Sequence, residues 1–126
     1  MSYTNAINLG HAHQEWLKAL DFYETELEIL TGRLTEITAK NTVADAMEPA
    51  EHFQNQFIVQ KNNIDELKHS INQHAHLVFE DAKKHVGRVE DTRVGEHKEI
   101  EGQVLQFEKV INELRQEFNK YAAKWM

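Results

Sequence analysis

The chain contains no cysteine, one proline, five glycines and two serines among 126 residues. Each scarcity closes off a class of chemistry. Without cysteine there are no disulfides, thiolate metal ligands or thiol nucleophiles, a composition that fits a reducing compartment. The serines, Ser2 and Ser70, stand in no nucleophile motif, and Gly10, Gly32, Gly87, Gly95 and Gly102 are too scattered to form a loop that cradles phosphate. Apolar runs reach about three residues, as in Leu77-Val78-Phe79, far short of the roughly 20 that span a bilayer. Residues 1–15 carry neither the basic start nor the apolar block of a secretory signal. A cytoplasmic location and no membrane association are therefore expected.

Bases are also in short supply. Fourteen Lys and Arg face 21 Asp and Glu, for a net charge of −7. Binding to a phosphate backbone needs a concentrated basic face, so no nucleic-acid partner is expected. The one basic cluster, Lys83, Lys84, Arg88 and Arg93, is interleaved with Glu80, Asp81, Glu90 and Asp91 and reads as a solvated helix surface.

What the chain does have is a seven-residue apolar repeat. A first stripe runs Leu9, Trp16, Leu20, Tyr23, Leu27, Leu30, Leu34 and Ile37, with His13 filling the step between Leu9 and Trp16. A second runs Phe53, Phe57, Ile64, Leu67, Ile71 and Val78, its two gaps filled by Gln60 and His74. The third is Ile100, Val104, Phe107, Ile111, Leu114, Phe118, Tyr121 and Trp125, with His97 one step before it. Alternating steps of four and three keep residues on one face of a helix, so each segment reads as an amphipathic helix with a heptad seam. Three one-sided stripes bury themselves best against each other. The expectation is a single all-α domain, an antiparallel three-helix bundle in up-down-up order, with helices over approximately 5–41, 49–87 and 94–126.

The breaks are unequally marked. Asn41 to Glu48 interrupts the stripe, and Pro49 suits the first turn of the next helix. The second break is signalled only by Gly87 and Gly95, with a weak apolar trace crossing it, and the pattern also fits one helix of nearly eighty residues. Thr4, Asn5 and Asn8 offer N-caps for the first helix. Gly32 and Gly102 fall inside helical stretches, where each costs about 1 kcal/mol relative to alanine unless helices approach closely there.

Eight histidines are unusual in a chain of this length. His13, His74 and His97 take core heptad positions, whereas His11, His69 and His76 fall on outer faces. If the chain folds back through 42–48, His13 lies about 32 residues before the middle of the turn and His74 about 29 after it, so the two share a layer to within one turn. The plain role for such residues is a polar layer that fixes register. The sharper one is a transition-metal site, for zinc or iron among others, because imidazole suits both. Glu15, His11 and His76 are the nearby residues that would support a His13–His74 pair. His11–Glu15, His76–Glu80 and His97–Glu101 repeat a His-x-x-x-Glu spacing, and His76 precedes Asp81 by five residues. These spacings resemble those of hemerythrin, which binds two irons in a four-helix bundle. That family's ligand-bearing helices are not reproduced in order, so no membership follows.

No pair of carboxylates is singled out for acid–base work, and long narrow bundles offer little concave volume for a substrate. Off the seam, Phe22 and Ile29 lie seven residues apart and form a short outer ridge that would serve as an interface, either with a second copy or with a partner's helix. The sequence thus reads first as a non-enzymatic interaction or structural module without a cofactor. The second reading is a metal-binding bundle built on His13 and His74.

Overall fold

The computed structural model describes residues 4–126, with side chains described from Ala6 onward. Three long helices pack against each other: α1 (Ala6–Lys40), α2 (Ala44–Lys84) and α3 (Asp91–Trp125). At 1.5 Å per residue they are about 52, 62 and 52 Å long. A minimal antiparallel pair, β1 (Thr4–Asn5) with β2 (Arg88–Val89), joins the start of the chain to the α2–α3 connection.

The heptad stripes become the core. Leu20, Ile37, Ile64, Ile71, Ile111 and Phe118 are sealed from solvent, and Leu27, Leu30, Leu34, Leu67 and Leu114 pack with them. Trp16, Tyr23 and Trp125 are only half-buried, since their large rings reach the edge of the seam and lie against the core from outside. Two polar contacts fix one end. The Tyr121 hydroxyl donates to the Ala46 carbonyl at 2.8 Å, and the Asn41 amide donates to the Trp125 carbonyl at 2.9 Å. The α1–α2 turn is thereby held at the C-terminal end of α3. Charged pairs stitch the flanks, among them Lys61–Glu24 at 2.7 Å and Arg115–Glu26 at 2.9 Å.

The helix boundaries differ from the sequence expectation in instructive ways. α2 begins at Ala44, so Pro49 lies inside it rather than in its first turn. Ala46 and Met47 both donate to the Val43 carbonyl and start the helix without a side-chain cap. Proline removes one backbone donor there, close enough to the end that only one intrahelical bond is lost. Thr4 and Asn5 form β1, and Ala6 donates to the Gly87 carbonyl at 2.9 Å, so the start of α1 is tied to the far turn. Asn8 lies within α1.

The second break falls at residues 85–90, with Gly87 at φ +84° and Gly95 inside α3. Val86, almost fully exposed, adopts φ +54°. A β-branched residue in that left-handed region is strained. Gly32 and Gly102 mark no close approach, because a Cβ at either would meet open space.

Candidate metal centre

Near the end opposite the Tyr121–Ala46 contact, each helix contributes one histidine to the same layer. His13 comes from early α1, His74 from late α2 and His97 from early α3. Each occupies a seam position, so packing the seams drives all three rings inward. Relative exposures of 3%, 3% and 9% put them in the interior, where polar groups require a partner. The layer divides the apolar core in two. On one side lies the main cluster from Leu20 onward, and on the other a small cluster of Leu9, Val78 and Val89.

The three rings face a common space. Centroid separations are 4.9 Å for His13–His74, 5.3 Å for His13–His97 and 5.8 Å for His74–His97. One nitrogen from each can be chosen so that all three lie within 4.8 Å of one another. Four ring nitrogens are sealed from solvent without a hydrogen-bond partner: Nε2 of His13, both nitrogens of His74 and Nδ1 of His97. Buried polar atoms are seldom left in this state. Trp16 lies against the group, 4.5 Å from the His97 ring and 5.6 Å from His13.

Burial pushes the His13 and His74 pKa values from 6.5 down to about 4. Neighbouring imidazoles push in the same direction, as does Arg93 for His74. His97 is lowered as well, again by burial, with Glu101 opposing. At neutral pH the rings are therefore neutral and each presents a lone pair. This state suits metal ligation, whereas proton transfer near pH 7 would need a pKa close to that value.

A charged network borders the layer. Arg93 grips both carboxylate oxygens of Glu96 through Nη1, at 2.7 Å for Oε2, and its Nε approaches Asp81 at 3.2 Å without hydrogen-bond alignment. Glu96 Oε2 stands 3.8 Å from His74 Nδ1. Arg93 and Asp81 are both largely shielded, so Arg93 departs from the solvated surface expected for the basic cluster, although Lys83, Lys84 and Arg88 are exposed. His74 and Glu96 also edge a groove of about 320 Å³ between α2 and α3. Larger grooves occur elsewhere, one of about 610 Å³ along Gln60, Leu67, Gly102 and Phe107, where Glu66 and Glu99 are the ionisable residues and no histidine takes part.

The sequence-derived residues divide accordingly. His13 and His74 do share the layer, and His97 joins them. His11, Glu15 and His76 lie on exposed outer faces and stand outside the group; the carboxylate beside His74 is Glu96 instead. Phe22 and Ile29 are 62% and 58% exposed. Neither Glu96 nor its Arg93 anchor was evident from spacing, because the α2–α3 turn had first to be placed. No protein-family model, curated protein or solved structure matches this chain.

Proposed function

We propose that this protein is a non-enzymatic helical bundle that binds one late first-row transition ion, such as zinc, through His13, His74 and His97. The observation that carries the reading is the convergence of three buried imidazoles from three different helices, each with at least one sealed ring nitrogen that has no hydrogen-bond partner. A tetrahedral ion holding imidazole nitrogens at about 2.0–2.1 Å sets the ring centroids roughly 5 Å apart, and the rings already stand at 4.9–5.8 Å. The donor nitrogens need to come to about 3.4 Å from one another. From within 4.8 Å, that closure needs ring rotation more than backbone movement. Three neutral nitrogens suit copper, nickel, iron and zinc alike, so the resident ion is set by availability.

Calorimetric titration of the tag-free, chelator-treated protein with zinc tests the proposal. One ion per chain is expected, with saturable binding strongly weakened in both His97→Leu and His13→Leu. Absence of stoichiometric binding, or equal binding by wild type and both variants, would overturn it.

A second reading, self-association, is supported by Phe22 and Ile29, which project from α1 with more than half of each residue exposed. It is compatible with metal binding, since the ridge lies off the seam that carries His13.

A further inference from the structure

The carboxylate beside the histidine layer points beyond ligation itself. We infer that Glu96 is a positioning residue for the metal centre: it accepts a hydrogen bond from His74 Nδ1–H and so commits His74 Nε2 to the ion. The inference rests on the metal-binding reading above.

Three structural features lead to it. First, His74 is the one member of the group with both ring nitrogens buried and partnerless. A neutral imidazole carries its proton on one nitrogen only, and the proton's position decides which nitrogen can bind a metal. Left alone, His74 would divide between two tautomers, one of which points a proton at the ion. Second, Glu96 Oε2 is the acidic oxygen nearest to His74 Nδ1, at 3.8 Å. That separation is about 1 Å longer than a charge-assisted bond, which is the scale of movement the rings must make to close around an ion. Third, Glu96 is not loose. Arg93 holds both its oxygens, and Arg93 in turn lies 3.2 Å from Asp81 on α2, the helix that bears His74. The carboxylate is thus restrained from both helices that flank the groove.

The same restraint separates this role from direct ligation. To bind the ion itself, Glu96 would have to give up the guanidinium that grips both oxygens. To orient His74 it need only accept one more hydrogen bond, while keeping Arg93. Outer carboxylates of this kind fix the ring and raise its basicity, and losing one lowers metal affinity by about 10–100-fold.

The test compares the whole chain with Glu96→Gln and with Glu113→Gln, which removes the same charge from an exposed position further along α3, away from the groove. Zinc affinity is measured by competition with a chromophoric chelator, and the cobalt(II)-loaded proteins supply visible spectra. The expected result is a roughly 10–100-fold weaker zinc Kd for Glu96→Gln, an unchanged Kd for Glu113→Gln, and superimposable cobalt spectra for all three. Unchanged melting of the metal-free Glu96→Gln protein confirms that the fold is intact. A Glu96→Gln Kd within threefold of wild type would overturn the positioning role while leaving the three-histidine site in place. An altered cobalt spectrum in that variant would overturn it in favour of direct ligation. Wild-type protein that binds neither ion would overturn the metal reading and this inference with it.

Discussion

Mild acid should destabilise this protein through its histidine layer, even with no metal bound. In the folded chain His13 and His74 are pushed down to about 4, whereas an unfolded histidine titrates near 6.5. Between those values the unfolded chain takes up protons that the folded chain refuses. Stability is therefore complete above about pH 6.5 and falls as pH drops through that value toward 4. Linkage gives a loss of about 2 kcal/mol per imidazole between pH 7 and pH 5, or about 4 kcal/mol for the pair as a ceiling. A typical domain has only about 5–15 kcal/mol to lose. The groups facing these rings are each other, His97, Arg93 and Glu96; His97 lowers both, His74 lowers His13, and Arg93 reinforces the depression at His74. The assay is urea unfolding followed by helical CD at each half pH unit from 7.5 to 5, with a chelator present. Wild type should lose about 3–4 kcal/mol over that span, and a His13→Leu/His74→Leu double variant less than about 1 kcal/mol. Parallel profiles for the two proteins would refute the reasoning, because surface carboxylates and the exposed histidines are common to both.

Other expectations follow from the packing. Leu67→Ala and Leu114→Ala, at buried seam positions, should each cost about 2–5 kcal/mol in urea unfolding by leaving a cavity; losses below about 0.5 kcal/mol at both would contradict the seam assignment. Val86 holds φ +54° with its side chain in solvent, and asparagine tolerates that conformation better. Val86→Asn should therefore raise stability by about 1 kcal/mol, whereas a lower urea midpoint would show that the turn is not strained. Burying Phe22 and Ile29 in a symmetric contact is worth roughly 1.5–3 kcal/mol per side chain. Sedimentation equilibrium should accordingly show a dimer at tens of micromolar that Phe22→Glu weakens, and a single chain mass throughout would dismiss the ridge as an interface.

The helical class and the buried face of each helix were legible because one rule, alternating steps of four and three, holds along all three seams. Leu27, Leu30, Ile64, Leu67, Ile111 and Leu114 are all buried as that rule requires. Pairing His13 with His74 was also legible, since counting outward from a marked turn places residues of neighbouring helices in register. His97 could not be added by the same counting. The α2–α3 turn carries no proline, and its two glycines left two positions for the bend. Only a centre near Gly87 puts His74 and His97 at comparable distances from it. The Asp81–Arg93–Glu96 network was illegible for a different reason. Charge interleaving of that kind usually lies in solvent, and only the tertiary approach of α2 to α3 shields it. Pro49 misled about the start of α2, since a proline near a helix N-terminus is tolerated beyond the first turn when few bonds depend on it.

The central claim is that one ion is held by one imidazole from each helix. X-ray absorption fine structure at the zinc edge, on protein loaded with one equivalent, counts those ligands directly. The account predicts outer-shell scattering from three imidazoles per zinc with a first shell at about 2.0–2.1 Å, falling to two in His97→Leu. A first shell of oxygens with one imidazole or none, unaltered by His97→Leu, would contradict it.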